Sequence, residues 1–436
     1  MNAGPTVALN TIWVVLAAAM VLFMEGGFSL LEAGLVRTKN AVNVTMKIFV
    51  DLTIGVLAFF LIGFGILFGK DYGGLISFDF WGASQHLSIP IDLPLSAYIL
   101  FQIGFAIAAV SIISGAVAER MSFKAYIIIA LFVTSILYPI SGHWIWNADG
   151  WLAQLGMKDF AGSAVIHALG GWAAFAFAYV VGPRRGRFNT DGSVNVFAPS
   201  NIPLASAGAF ILWFGWFGFN AGSTLNAFDS NLSVIALNTA LAGAAGGTSA
   251  MIYTTFRFKK ADPSMTMNGA LAGLVAITAG CAYVTSYSAI LIGLVAGILV
   301  IWGTLVIDKL KVDDPVGAVA VHGVNGVFGT IAVGLFDAKD GFFTTGGTHL
   351  LVVQTFGVIM IALWGFVLSY GLAKLLKSTI GLRVSISDEE EGLDMAMHGI
   401  PAYNELERFS DQPIIEMALA PKLSLGKEHT GLTVSK

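Results

Sequence analysis

Two histidines stand in apolar runs, each eight residues after an aspartate. The first run is DFAGSAVIH, residues 159–167, and the second is DPVGAVAVH, residues 314–322. No cysteine, aspartate or glutamate lies within a helical turn or two of His167 or His322, so the pattern disfavours a metal site. No nucleophile and base are arranged beside them either, which makes an enzyme the least favoured class. We expect no metal and no cofactor.

The chemistry open to two buried imidazoles is proton transfer with a weak base. Carrying a bare cation through an apolar pore costs of order 20 kcal/mol in the idealised limit. Neutralising an aliphatic amine at pH 7 costs only roughly 1 to 4 kcal/mol. A neutral imidazole pair that accepts the proton therefore suits an amine and excludes potassium, which has no proton to lose. A single histidine could instead merely bond a neighbouring helix, but a repeated pair favours a function.

The composition places these histidines inside a membrane. The chain has 436 residues, of which 56% are hydrophobic and 11% charged, with a mean hydropathy of +0.78. Soluble domains carry charge on roughly a quarter of their residues, so this chain is predicted to be an integral membrane protein. Cys281 is the single cysteine, which excludes an intrachain disulfide, and the net charge of −4 gives no indication of nucleic acid binding.

Apolar runs of about 20 residues predict eleven transmembrane helices. The first 24 residues of the chain carry no charge and the first basic residue is Arg37, which is atypical of a secretory signal peptide, so we expect the first run to be retained. The runs lie near residues 9–35, 41–69, 98–117, 125–147, 161–182, 202–222, 235–255, 266–284, 288–306, 316–336 and 349–376.

The loops between these runs alternate in basicity. Every second loop is basic, with twelve residues in all, whereas the others hold only Lys70, Lys158 and Lys339. This bias predicts an outer N-terminus and a cytoplasmic C-terminus. The twelve are Arg37, Lys39, Arg120, Lys124, Arg184, Arg185, Arg187, Arg257, Lys259, Lys260, Lys309 and Lys311.

The repeated aspartate-to-histidine spacing indicates two related halves. It falls at the start of the fifth and of the tenth predicted helix. Because five helices per half is an odd number, the second half must be inverted, an arrangement that places transport sites near the membrane midplane. The predicted fold class is an all-α integral membrane protein with eleven helices, in two inverted five-helix halves plus an extra C-terminal helix.

The charges divide the chain into two parts. Residues 377–436 hold 16 of the 50 charged residues. We therefore expect a transmembrane domain over 1–376 and a cytoplasmic tail over 377–436. Within the second helix, Lys47 and Asp51 are spaced i, i+4 and are predicted to pair with each other, away from any pore.

Three segments resemble the motifs of a known family. They are DFAGSAVIHALGGWAAFAFAYVVGPR at 159–184, WFGFNAGS at 216–223 and DDPVGAVAVHGVNG at 313–326. They are similar to the signatures of the ammonium transporters, the Amt/Mep/Rh family, and the similarity covers roughly residues 9–404. The resemblance implies an eleven-helix homotrimer with one pore per subunit, which conducts ammonium or ammonia plus a proton.

The resemblance also implies site residues. His167 and His322 match the twin pore histidines, and Phe105 and Phe219 match stacked rings that close the outer mouth. The residues that match an outer ammonium-recruiting site are Trp146, Ser223 and a supporting Asp159. Sequence alone would read the phenylalanines as packing and Trp146 as an interfacial anchor. It would read Asp159 and Asp314 as helix caps.

The tail contains a second resemblance, to the regulatory motif of the Amt branch. The matching residues are Gly392, Leu393, Asp394, His398, Gly399 and Tyr403. The family pattern implies that this segment docks across subunits, and bacterial relatives imply a PII-type signal protein as partner. A solvated tail is the alternative, and residues 406–436 match nothing in the family pattern.

The functional hypothesis is an ammonium transporter of the plasma or inner membrane. Two alternatives stay open: a passive ammonia gas channel, and an ammonium sensor that signals through the cytoplasmic tail.

Overall fold

The computed structural model describes residues 4–77 and 92–403, and within them eleven long helices form one bundle. Ten of these helices are long and apolar enough to cross a membrane. Their bounds are α1 Pro5–Leu35, α2 Thr38–Phe68, α3 Leu95–Ala116, α4 123–146, α5 Ser163–Val181, α6 Ile202–Gly222, α7 Leu232–Phe258, α8 Pro263–Thr278, α9 Ser286–Lys309, α10 Val319–Phe336 and α11 His349–Thr379.

The eleven predicted segments correspond to these helices, so the predicted fold class is confirmed. The eleventh segment by length is α8, which has only 16 residues and packs against α7 and α9. The extra helix α11 packs along α5 and α10. A two-stranded antiparallel sheet, β1 Asp71–Tyr72 and β2 Ile76–Ser77, follows α2, and short helices occupy Trp151–Gln154, Phe342–Thr345 and Ile386–Glu391.

The bundle has two faces. We call the face where α11 ends the tail face, and the opposite face, which carries the loop between α4 and α5, the mouth face. Helices start where the sequence supplies a cap: Asn201, Asp262 and Thr285 each accept a backbone N–H of the first turn of α6, α8 and α9. Proline in the first turn of α6 and α8 favours these starts. An N–H group in the first turn has no hydrogen-bond partner within the helix, so proline loses nothing by lacking one.

The two halves share one detail that the sequence predicts. Asp159 accepts hydrogen bonds from the backbone N–H groups of Gly162, Ala164 and Val165 at 2.9 Å. In the second half, the carboxylate of Asp314 accepts from Gly317, Ala318 and Val319 at 2.7 to 3.1 Å. The capping role predicted for both aspartates is therefore confirmed.

Both caps lead into a π-helical turn. Ser163–Ala168 opens α5 and Val319–Val324 opens α10, and each histidine lies inside its turn. The N–H of His167, for example, bonds the carbonyl of Gly162 five residues earlier at 3.1 Å. Such wide turns are frequent at functional sites because they shift a side chain away from the regular helical position.

The prediction that Lys47 and Asp51 pair is wrong. Lys47 Nζ donates to the carbonyl of Ser114 at 2.7 Å, and Asp51 Oδ2 accepts from Tyr126 at 2.7 Å. Their partners lie on α3 and on α4, which surround α2. Tertiary contacts therefore replace the local ion pair that the i, i+4 spacing suggests.

A buried ion network joins the loops of the tail face. Arg184 bonds both carboxylate oxygens of Asp313, at 2.8 and 2.9 Å, and Glu119 at 2.8 Å. Burial alone would raise the pKa of Asp313, but Arg184 and Arg120 outweigh it and hold that pKa well below its usual range. Glu119 shows the same balance, since Arg184 and Arg37 lower its pKa despite burial. The arginines of the network therefore keep the buried carboxylates of Asp313 and Glu119 ionised.

Replacing Asp313 with asparagine is expected to destabilise the fold. The change leaves the buried Arg184 guanidinium with half of its charge compensation, and breaking a buried pair in this way costs about 3 kcal/mol. The measurement is the thermal unfolding midpoint in detergent. Asp308→Asn is the control, because Asp308 is partly exposed and contacts Arg187 instead. Equal midpoints for the two variants would contradict the expectation.

Candidate functional site

The two histidines meet at the centre of the bundle. His322 Nδ1 lies 3.1 Å from His167 Nδ1, with ring centroids 5.1 Å apart, and both rings are buried. At that distance one Nδ1 carries the hydrogen and the other accepts it, so a pair without charge satisfies the contact. His167 Nε2 has no hydrogen-bond partner within residues 4–77 and 92–403. The pair thus keeps a buried nitrogen available to a passing proton.

A column of aromatic rings continues from the histidines toward the mouth face. Phe219 stacks on His167 at 5.6 Å between centroids, and Phe105 contacts Phe219 at 4.5 Å. Both phenylalanines are buried. The structure therefore places the two predicted phenylalanines directly above the histidine pair.

A cavity of about 150 Å³ lies above Phe105. Trp146 is 5.7 Å from the ring of Phe105, and Ser223 is one of the polar residues that line the cavity. The Ser223 hydroxyl donates to the carbonyl of Phe219 at 2.8 Å, which leaves its oxygen lone pairs available to a cation. The lining residues are Tyr98, Phe101, Gln102, Phe105, Trp146, Phe160, Ser223 and Leu225.

Asp159 does not line this cavity. Its carboxylate caps α5, and its backbone carbonyl accepts the indole N–H of Trp146 at 2.8 Å. Burial raises the pKa of Asp159 to about 6, while the backbone N–H groups act in the opposite direction. Its contact with the cavity is therefore indirect, through the position of Trp146.

Below the histidines, a second cavity of about 20 Å³ opens toward the tail face. Its lining includes His322 together with Phe28, Glu32, Ser111, Asn268 and Val316. In order from the mouth face, the column thus contains an open cavity, two phenylalanines, two histidines and an inner cavity.

Sequence reasoning missed two rings in this column. Trp216 stacks on His167 at 5.2 Å and an angle of 23°, and its indole donates to Thr278 at 2.9 Å. Phe28 lies 6.2 Å from the ring of His322. Trp216 precedes Phe219 by three residues, a helical spacing that could have placed both on one face. Phe28 has no such signal, because nothing in the sequence relates α1 to α10.

The tail motif packs on the tail face of its own chain. The carboxylate of Asp394 accepts the N–H groups of Val42 at 3.0 Å and of Asn43 at 2.8 Å, and so caps α2. The N–H of Leu393 donates to Asn40 at 2.9 Å, and Leu393 is buried. For these residues, the alternative of a solvated tail is wrong.

The remaining residues of the tail motif make other contacts or have positive φ angles. His398 Nε2 lies 3.1 Å from the amide nitrogen of Asn43, and burial lowers the pKa of His398 so that this nitrogen can accept. Gly392 and Gly399 both have positive φ. Tyr403 packs against the small apolar cluster beside α2. The prediction for residues 406–436 lies outside the described residues.

Replacing Gly392 with alanine is expected to release this docked segment. Its φ of 113° disfavours any L side chain, and an added Cβ would lie 2.6 Å from Cβ and 2.8 Å from the carbonyl oxygen of Lys39. We expect faster hydrogen exchange over residues 386–398, measured by mass spectrometry. Gly399→Ala is the control, since that position also has positive φ but open space around it. Equal exchange in both variants would show that the Lys39 contact does not matter.

Comparisons with known proteins agree with this geometry. The sequence model described as Ammonium Transporter Family matches residues 12–403. "Ammonium transporter Amt2" of Archaeoglobus fulgidus is 41% identical over 424 residues, which cover 92% of this chain and 90% of the relative. "Putative ammonium transporter sll1017" of Synechocystis is 44% identical over 402 residues, with 90% and 89% covered.

Solved structures give the same result. The chain is similar to a structure titled "Sensor Amt Protein", with a TM-score of 0.86 at 43% identity, over 90% of this chain and 99% of that one. It is also similar to Candida albicans Mep2, with a TM-score of 0.82 at 26% identity, over 93% and 94%. With its paired histidines beneath two phenylalanine rings in contact and a family match across nearly its whole length, the chain belongs to the Ammonium Transporter Family.

Proposed function

We propose that this chain transports ammonium and conducts it as ammonia with a separately transferred proton. The observation that carries the proposal is the buried His167–His322 pair, with its Nδ1 atoms 3.1 Å apart beneath an aromatic column. The relatives are named as transporters, and transport rather than catalysis is the activity we propose.

The outer cavity is the proposed recruitment site. The face of Trp146 attracts a cation through its ring quadrupole, and the oxygen of Ser223 accepts an N–H of ammonium. Asp159 supports the site by holding the indole of Trp146. The proposed selection here is for a small cation with hydrogens to donate.

The proposed gate is the contact of Phe105 with Phe219. Beyond this gate a cation that stays charged would leave its hydration behind without compensation, whereas ammonium that gives up its proton continues as neutral ammonia at far lower cost. Below the gate, His167 accepts the proton and the pair hydrogen-bonds the neutral amine. Potassium has no proton to lose and stays charged, so the pore does not conduct it.

The test is an electrical recording from proteoliposomes that contain the purified protein. An ammonium pulse is expected to evoke an inward current that saturates with concentration, and an equal potassium pulse is expected to evoke none. Ammonia flux without charge movement would indicate a passive gas channel and contradict the proposal.

The sensor alternative is favoured by one observation, the 43% identity to a protein titled "Sensor Amt Protein". A sensor binds ammonium and signals through residues 377–403 without appreciable flux. Calorimetric binding of ammonium to a protein that carries no current would favour the sensor, and current under the same conditions would favour the transporter.

We further propose an assembly and a location. The chain divides into the transmembrane domain 1–376 and the tail 377–436, and forms a homotrimer with one pore per subunit in the plasma or inner membrane. The alternating basic loops support a cytoplasmic tail face. A PII-type signal protein is the proposed partner at that face, and the motif from Gly392 to Tyr403 is the proposed regulatory segment.

A further inference from the structure

Four ionisable side chains lie inside the membrane domain where α1, α2 and α3 meet α4. They are Glu25, Glu32, Lys47 and Asp51, each at most 2% exposed. Ionisable residues at this depth are costly and seldom without a role. The transport mechanism described above uses none of them.

The hydrogen bonds of Ser111 show that this cluster holds a proton. Its single hydroxyl lies 2.7 Å from Glu25 Oε2, 3.1 Å from Asp51 Oδ2 and 3.0 Å from the carbonyl of Ile107. Ser111 has only one hydrogen to donate. If both carboxylates were ionised, one of them would face the hydroxyl oxygen with no hydrogen between. One carboxyl must therefore be protonated and donate to Ser111.

The free oxygens of the same two carboxyls support this protonation. Glu25 Oε1 and Asp51 Oδ1 are buried and have no hydrogen-bond partner among residues 4–77 and 92–403. An ionised oxygen without a partner is expensive to bury, and a proton removes that cost. We call the arrangement of Glu25, Ser111 and Asp51 the carboxyl bridge.

The charges around the bridge do not compensate it fully. Lys47 is the one base among the four ionisable groups, and it lies nearest to Glu32, since both bond Ser114, at 2.7 Å each. Tyr126 donates to Asp51 Oδ2 at 2.7 Å. The groups that act on the cluster from further away are Asp314 on Glu32, and Glu119 and Arg120 on Lys47. The positive side chain of Lys47 thus faces three acidic side chains, those of Glu25, Glu32 and Asp51.

The bridge is connected to the pore. Ser111 lines the inner cavity of about 20 Å³ together with His322 and Glu32. A cavity of this size holds one water molecule when polar groups surround it. One water would therefore link the inner histidine to the hydroxyl that joins the two carboxyls.

We propose that the carboxyl bridge is a proton-binding site which receives the proton that ammonium releases in the pore. The inference rests on the proposed transport function. In the step, an N–H bond of ammonium breaks and its electron pair stays on nitrogen, which leaves neutral ammonia. The proton reaches the inner cavity through the histidine pair and forms an O–H bond with the ionised carboxylate of the bridge. Glu32, two helical turns nearer the tail face than Glu25, takes the proton onward.

The test separates charge movement from ammonia movement. Glu25→Gln and Asp51→Asn are reconstituted in proteoliposomes, and the evoked current is recorded alongside the uptake of ¹⁵N-labelled ammonium. We expect the charge carried per ammonia to fall about tenfold or more, because a positioned proton acceptor is lost. The isotope uptake should stay within about twofold of the native rate, because ammonia keeps its route while the released proton returns to the side from which ammonium entered.

Ser29→Ala is the matched control. Its hydroxyl lies 3.2 Å from Thr45 and joins α1 to α2 one turn from Glu25, without contact to the bridge. This variant should retain the native ratio of charge to ammonia. An unchanged ratio in Glu25→Gln and Asp51→Asn would overturn the proton site. Absence of any ammonium-dependent flux in the native protein would instead overturn the proposed function.

A second measurement covers the case in which the acidic variants fail to fold. Ser111→Ala removes the joining hydroxyl without changing a formal charge, and it should lower the charge per ammonia in the same direction. Infrared difference spectra of the native protein should show a protonated carboxyl band that responds to an ammonium pulse. Absence of that band would overturn the proposal, whatever the variants do.

Discussion

Replacement of both His167 and His322 by alanine is expected to abolish selective ammonium conduction. The double variant lacks the imidazoles that accept the proton directly below Phe219, and removing positioned proton transfer costs about a hundredfold or more in rate. The space vacated by the rings admits water, so discrimination against potassium should fall as well. The measurement is the ratio of ammonium-evoked to potassium-evoked current in proteoliposomes between pH 6 and 8, a range of about one unit around neutrality.

His349→Ala is the control for this experiment. His349 is an exposed residue at the first position of α11 and lines neither pore cavity, so its loss should leave the current unchanged. Should the double variant keep the native current and still exclude potassium, the histidine pair would have no part in selection.

The second large effect is expected from Gly171→Ala. Gly171 lies one turn after His167 on α5, against the residue that follows His322 on α10. An added Cβ would lie 2.1 Å from the backbone nitrogen and 2.3 Å from Cα of Gly323. Backbone atoms cannot rotate away, so α5 and α10 must separate, at a cost of about 3 kcal/mol.

The same separation moves the two histidines apart. We expect a lower thermal midpoint in detergent together with at least about a tenfold loss of ammonium current, because the imidazole contact at 3.1 Å cannot persist. Gly371→Ala on α11 is the matched control, since a Cβ there meets no atom within 4 Å. Native stability and current in Gly171→Ala would show that the helix crossing tolerates a side chain.

Much of the fold could be predicted from the sequence because helices that span a membrane have a distinct hydropathy pattern. An apolar run of about 20 residues indicates a helix that spans the membrane, so hydropathy and length were enough to predict the eleven helices. Asp159 and Asp314 were readable as caps because capping is local and needs only the residues that follow. Even the short helix α8, below the usual spanning length, was found from its apolar pattern.

The candidate site was partly readable for a different reason. The shared spacing put His167 and His322 at equivalent positions of the two halves, and the inverted arrangement allowed them to meet near the membrane midplane. Phe105, Phe219, Trp146 and Ser223 came only from the resemblance, since nothing in their own segments distinguishes them from packing residues.

What stayed hidden involves contacts between helices that are distant in the chain. Lys47 and Asp51 have the spacing of a local pair, yet Ser114 and Tyr126, on neighbouring helices, are their partners. The stacking of Trp216 on His167 and the docking of Asp394 on α2 are likewise set by which elements pack together.

The sequence by itself thus determined the helices and the two capped turns that carry the histidines, because those features depend on hydropathy and on neighbouring residues. Only the tertiary structure decided which polar groups meet. A buried hydrogen bond depends on distances of a few tenths of an ångström between separate helices, and no spacing within one segment encodes them.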